Sequence, residues 1–217
     1  MEKVCIFVDS GNFYHIVLKK LKIQEVDFDF NKFVKFLAKE KTIIKEGKRF
    51  YVGTVREKQG KHENKRAISN QTTLFTSLSK LEWVIKTSKL RTRMENILID
   101  DRVANHKKLL DMGIKEIKYE RSREKGIDVK LATDLIIGAL DDKYDTAILI
   151  SSDSDLVPAI DLVRYRFKKK VEYIGFSVSG NENYENTRPT KRMIYSTDIQ
   201  RVLAVSDIKS FIIKKLL

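Results

Sequence analysis

Uninterrupted apolar runs alternate along this chain with segments whose apolar residues recur every three or four positions. Val4-Cys-Ile-Phe-Val8 is apolar without a break and stops at Asp9-Ser10-Gly11-Asn12. This predicts a strand buried on both faces, then a turn into a helix from about Asn12 to Leu21. Phe30, Phe33, Val34 and Leu37 recur at helical spacing, with Asp27 or Asp29 placed to cap, so a second helix is expected over residues 30–39. Arg49 to Val55 reads as a strand, Arg56 to Arg66 as an exposed loop marked by Gly60, Ala67 to Leu81 as a helix and Glu82 to Thr87 as a further strand. Residues 88–124 are the least regular, with a helix opening near Ala104 or Asn105 and an alternating strand from Ile114 to Tyr119. From Gly126 the pattern sharpens: Val129, Ala132, Ile136 and Leu140 form one helical stripe, which Leu131 and Leu135 widen. Asp145 to Ile150 is a second apolar strand, closed by Ser151-Ser-Asp-Ser-Asp155. A helix face on Leu156, Ile160, Val163 and Phe167 and a strand from Val171 to Phe176 follow. Then come a polar segment, Ser177 to Arg192, and a tail whose Ile208, Phe211, Ile212 and Leu216 predict a docked final helix.

Alternating strands and helices, with strands that are apolar throughout, argue an α/β fold whose mainly parallel sheet is covered on both faces. In such sheets ligands sit at the carboxyl ends of the strands. A chain of 217 residues with 42% hydrophobic and 34% charged residues suits a single compact unit and not a disordered one. Cys5 is the single cysteine and lies in an apolar run, so no intrachain disulfide forms; His15, His62 and His106 are scattered, so no zinc site is expected. No stretch reaches the roughly 18 apolar residues of a membrane span, and Met1 to Asp9 lacks the apolar core and cleavage site of a signal peptide. A cytoplasmic location without membrane contact is therefore expected. Lys and Arg number 43 against 30 Asp and Glu, a net +13, which favours a polyanionic partner, nucleic acid first. The oligomeric state, a homo-oligomer included, is not set by the sequence.

The two strongest strands end in acids. Asp9 follows the first directly, and Asp153 and Asp155 follow the second after Ser151 and Ser152; Asp128 opens the helix leading into that second strand. If the two strands are neighbours, these carboxylates converge on one edge. Such a cluster repels itself unless protons or a divalent cation offset the charge, and oxygen donors without His or Cys suit Mg²⁺ or Mn²⁺. An acidic metal pocket in a basic body is the division of labour of metal-dependent nucleases: positive surface draws the phosphodiester, and the metal activates water. An Asp after a strand also serves as a helix cap, and Asp155 before Leu156 fits that reading. Asp134 lies six residues after Asp128, about 240° around the helix, and so faces elsewhere, as a supporting acid or a surface charge.

Phe7-Val-Asp-Ser-Gly-Asn-Phe-Tyr14, Glu124-Lys-Gly-Ile-Asp-Val-Lys-Leu-Ala-Thr-Asp-Leu135 and Ile150-Ser-Ser-Asp-Ser-Asp-Leu-Val-Pro158 resemble, in order, the signature segments of the NYN domain, in particular its LabA-like (DUF88) branch. The resemblance implies a PIN-like three-layer α/β/α sandwich with strand order 3-2-1-4-5, over residues 1–178. Residues 179–217 would be a C-terminal extension packed on or continuing the same domain. It also implies a metal-dependent endoribonuclease, or a non-catalytic RNA- or protein-binding descendant with a vestigial or regulatory metal site. Asp9, Asp128, Asp153 and Asp155 would be the catalytic metal ligands for one or two Mg²⁺ or Mn²⁺ ions. Asn12 would orient the first carboxylate or the substrate, with Ser152 supporting and Asp134 as the further helix acid. The chain departs from the family pattern in a longer stretch from Lys89 to Arg123.

Among the basic residues, Arg56, Lys58, Lys61, Lys65 and Arg66 follow a strand and so belong on the functional edge, where they suit RNA phosphates. Lys125, close to Asp128, suits either the scissile phosphate or an ion pair with a site acid. A haloacid-dehalogenase-type phosphotransferase would want a second acid two residues after Asp9, where Gly11 stands. The isolated Asp153-Ser-Asp155 is too common a tripeptide to carry a glycosyltransferase reading.

Overall fold

Strand β1 (Lys3–Asp9) divides its apolar residues by parity: Val4, Ile6 and Val8 join one core, Cys5 and Phe7 the other. That division is the plan of the whole molecule. The computed structural model describes residues 1–54, 62–124, 126–180 and 185–213. In chain order the remaining elements are α1 (Ser10–Phe13), which runs on as a π-helical turn over Tyr14–Leu18, α2 (Phe30–Ala38), β2 (Thr42–Thr54), α3 (His62–Lys80), β3 (Val84–Leu98), α4 (His106–Asp111), β4 (Glu116–Glu124), α5 (Ile127–Leu140), β5 (Thr146–Ile150), α6 (Val157–Asp161), which runs on as a π-helical turn to Arg166, β6 (Lys170–Ser177), α7 (Lys191–Ser196), β7 (Ile199–Ala204) and α8 (Val205–Lys209).

The strands form one sheet in the order β4-β3-β2-β1-β5-β6-β7, parallel throughout except for β3 and β4. The expected order 3-2-1-4-5 is corrected: the strand beside β1 opposite β2 is the fifth in the chain, and a strand is added at each edge. The reason lies in the long stretch after residue 88. The first six residues of β3, Val84 to Lys89, pair parallel with β2, and Leu90 to Leu98 continue as an antiparallel ribbon with Glu116 to Glu124. At the other edge the tail supplies β7, where a helix alone was expected.

One face of the sheet carries a phenylalanine-rich core with α2, α3 and α8. There Phe13 lies 5.2–6.0 Å, ring centre to ring centre, from Phe28, Phe30, Phe33 and Phe176. Phe211 joins this core against Phe28 and Phe33, so the end of the described chain is pinned to α2. The other face packs Leu131 and Leu135 of α5, Ile160 of α6 and Met193 of α7 over Phe7, Tyr51, Leu149 and Tyr173. The helix expected over residues 12–21 is a short α-turn widening into a π-turn. The loop expected over 56–66 becomes helical at His62, and residues 55–61 lie outside the described ones. Leu216, expected in the final helix, also lies outside them.

Truncating Phe13 to alanine opens a cavity among four rings. We expect it to cost about 3–5 kcal/mol of stability, read as a lower urea midpoint at unchanged slope. A loss under 1 kcal/mol would show that this cluster is not the centre of the core.

Candidate functional site

β1 and β5 are parallel neighbours in a register that sets Val8 beside Ile150, so Asp9 and Ser151 leave the sheet side by side. Asp9 is 5% exposed. Its Oδ1 accepts from the backbone N–H of Asn12 at 3.0 Å, capping α1, and its Oδ2 accepts from Ser151 Oγ at 2.8 Å. The Asn12 Oδ1 in turn accepts from the Ser152 backbone N–H at 2.9 Å. Two strand ends 142 residues apart are thus joined by side chains as well as by the sheet ladder. Ser151 Oγ also accepts from the Asp153 N–H at 3.2 Å, and Asp153 Oδ1 caps the next turn by accepting from the Asp155 N–H at 2.9 Å.

Asp128 arrives from a third direction. Gly126 takes φ of +85°, a left-handed conformation that suits glycine, and lets the chain turn from β4 into α5 with Asp128 in its first turn. The Asp128 carboxyl is raised above its ordinary range, first by loss of solvation and then by the charges of Asp153 and Asp155. The helix N-terminus favours an anion there, while loss of solvation first and the neighbouring carboxylates second act against it. Asp153 is half-buried and Asp155 exposed, which leaves this trio open to solvent.

Asp134 does something else. It accepts from Tyr51 Oη at 2.8 Å and pairs with Arg49 at 3.2 Å and Lys86 at 3.8 Å, tying α5 to β2 and β3 on the sheet face. The reading as a surface charge is corrected, because the step of about 240° around α5 from Asp128 turns this residue inward onto the strands. Ser152 shares a 3.0 Å hydrogen bond with Tyr173 Oη, and its carbonyl accepts from Thr190 Oγ1 at 3.2 Å. Lys65 and Arg66 are exposed on the first turns of α3, whereas Arg56, Lys58, Lys61 and Lys125 lie outside the described residues. Sequence reasoning missed Ser151 as the partner of Asp9, and missed the Arg49, Tyr51 and Lys86 cage. The first signal was present in the hydroxyl directly after β5; the second depends on strand register and has no local signature. Cys5 is buried beneath the site, and burial pushes its thiol up to about 12, so it is no nucleophile.

The sequence matches the NYN domain over residues 3–197. The chain belongs to the NYN domain family. NYN domains are part of the PIN-like nuclease superfamily, whose members act on nucleic acid and generally use divalent metals. Among solved structures, the chain is similar to a protein of unknown function from Vibrio parahaemolyticus, at 19% identity and TM-score 0.52 over 95% of this chain and 94% of that one, a likeness of fold. No curated protein matches the chain. Among the described residues no helix is long and apolar enough to cross a membrane.

The donors of this NYN site suit a hard divalent cation in kind, since every candidate is a carboxylate and the charge on Asp153 and Asp155 already perturbs Asp128. In arrangement the site is open: among the described residues no three His, Cys, Asp or Glu side chains are gathered closely enough to enclose an ion. Asp9 is held back by Ser151 and Asn12, and Asp153 by its own turn.

The Asp128 shift has a consequence for stability. A carboxyl whose folded value is raised keeps its proton better when folded, so stability falls as pH climbs from the ordinary 3.8 through the raised value, and the penalty is complete above it. In EDTA, Asp128→Asn is therefore expected to melt at a higher temperature than the parent at pH 7, with the gap closing below pH 4. A variant that melts lower at pH 7 would contradict mutual repulsion at this position.

Proposed function

We propose that this NYN domain is a Mg²⁺- or Mn²⁺-dependent endoribonuclease that hydrolyses RNA phosphodiester bonds, and that its motifs place it in the LabA-like branch. The observation that carries the reading is the approach of Asp128 to Asp153 and Asp155 beside the buried Asp9, in a chain of net charge +13. Carboxylates that repel one another at an exposed strand edge are arranged for a cation, and the surrounding positive charge is arranged for a polyanion. Asp9, Asp128, Asp153 and Asp155 are the residues that would hold the metal. When bound, it supplies an acidified water and neutralises charge on the phosphate.

The protein's own contribution is positioning. Ser151 and the Asn12 N–H fix the Asp9 carboxylate, so its orientation is set before any ligand arrives. Asn12 further ties the Ser152 N–H to the same corner, holding the loop that carries Asp153 and Asp155. Lys65 and Arg66, together with Arg56, Lys58 and Lys61, are suited to phosphates flanking the cut. Lys125 precedes Asp128 closely enough to serve the scissile phosphate.

Labelled RNAs incubated with the protein in EDTA, Mg²⁺ and Mn²⁺ test this directly. Cleavage should need the metal and fall at least about 100-fold in Asp9→Asn and Asp153→Asn, with circular dichroism unchanged. Full activity in either variant would remove that residue from the site. RNA that is bound but left intact by the parent protein in both metals would instead favour the non-catalytic binding module.

A further inference from the structure

A second recess, of mixed polar and apolar lining, lies beside the same strand edge. It is a cleft of about 230 Å³ between the π-turn after α1, the 3-10 turn Glu25–Asp27 and α3, and Tyr14, Gln24, Glu25, Asn70 and Gln71 line it together with the buried Leu74. Ser10, the residue after Asp9, donates its hydroxyl to Glu25, so one side chain links the wall of this cleft to the corner that carries the acids. Along α3, Ala67, Asn70, Gln71 and Leu74 have the i, i+3, i+4, i+7 spacing of a single helix face, and all four border the cleft. Gln71 donates Nε2 to the Gly53 carbonyl at 2.8 Å, which fixes this face against the end of β2. Among the described residues, the side-chain amides of Gln24 and Asn70 and the Tyr14 hydroxyl have no hydrogen-bond partner.

Small volume and unspent amides define the ligand. The cleft is below the roughly 300–1,000 Å³ of drug-sized sites, so it suits one planar ring system. A carboxamide offers a donor and an acceptor side by side, the complement of a base edge, and a tyrosine ring offers a stacking surface. Arg66 lies four residues before Asn70 on the same side of α3 and is exposed, so one cationic group stands on the cleft side of the helix, where a phosphate would pass. A sulfonated or carboxylated ligand would use the cations but leave the amides idle. A purely apolar one would use neither.

We propose that this cleft receives an unpaired nucleobase of the RNA strand whose phosphodiester lies at the carboxylates, and that Asn70 and Gln24 read its edge. The proposal rests on the RNA reading for its substrate and adds to it a position of base preference next to the cut. It also accounts for the split of the strand edge into two polar regions: an acidic corner on the α5 side for the phosphate, and an amide-lined recess on the α3 side for the base.

Binding in EDTA separates this from catalysis. Fluorescence anisotropy with short single-stranded oligonucleotides of A, U, G or C, and with the four free nucleoside monophosphates, is measured for the parent, Asn70→Ala, Asn70→Asp and Gln24→Ala. The parent is expected to prefer one base by about tenfold. Asn70→Ala should flatten that preference while the dependence on salt stays as in the parent, because no phosphate contact is lost, and Asn70→Asp, which replaces a donor by a charged acceptor, should weaken binding overall and move the preference to another base. Equal preference in all four proteins, or no RNA binding, overturns the proposal, as does binding of a free monophosphate as tightly as the oligonucleotide. Cleavage in Mg²⁺ with an unshifted base preference in the Asn70 variants would sink the cleft and leave the nuclease standing. Base preference without cleavage would do the reverse.

Discussion

The contact on which the site depends is the parallel pairing of β1 with β5. Both strands are apolar along their length because helices cover both faces of the sheet, and a charge inside either would be desolvated without compensation. Polar chemistry is therefore confined to the strand ends, at the last residue of β1 and the first residue past β5. The register fixes which residues those are, since Val8 beside Ile150 leaves Asp9 beside Ser151. A slip of one residue would turn Asp9 from the α5 side to the phenylalanine side, away from Asp128. The buried rings of the two cores hold that register, so the geometry of the acids follows from packing at the centre of the molecule.

The electrostatics of the edge run against folding. Asp9 is buried yet satisfied by Ser151 and the Asn12 N–H, which is the condition for burying a carboxylate at modest cost. Asp128 and Asp155 are exposed and Asp153 half-buried, so their repulsion is screened; loss of solvation first and the charges of Asp153 and Asp155 second raise the Asp128 carboxyl. Asp153 offsets part of this by capping the turn before α6. The observed capping role and the proposed ligand role thus fall on one residue, and both call for an acid at a strand end. The Asp134 cage shows the contrasting arrangement. There Arg49, Lys86 and Tyr51 meet the carboxylate, and the acid serves the packing of α5 on the sheet.

Much of this was readable from residue order because the strands nearest the site have the strongest patterns. The runs Val4 to Val8 and Asp145 to Ile150 mark β1 and β5 to within two residues, and the acids behind them were named from position alone. The Phe30 to Leu37 face likewise gave α2. What escaped the pattern has a common cause. The β3–β4 ribbon buries neither face: Met94 and Leu98 from one side of β3 and Ile97 with its partner Ile117 from the other are all exposed. Without a buried face the alternation is weak: the pattern marks β4 only over Ile114 to Tyr119 and does not mark the part of β3 beyond Lys89 at all. β7 escaped because it is an edge strand whose Val202 points to solvent, and the π-turns after α1 and α6 shift helical spacing in a way that short windows cannot distinguish from a continuous helix. The contact between Asp9 and Ser151, and the cage around Asp134, needed the register of strands far apart in the chain.

The ribbon also bears on how Asp128 is placed. It enters from β3 and returns through β4 into Gly126, so Asp128 stands two residues beyond the point where the insertion rejoins the fold. A flexible loop there would let the start of α5 wander. Leu90 pairs with Glu124 at the base of the ribbon, and that closure sets the return point against β3, which is itself held to β2 by six parallel pairs. Asp134 then secures the same helix to β2 and β3 about one and a half turns further along. With β3 and β4 paired before it and its middle held by the cage, α5 presents Asp128 to the β5 side of the edge.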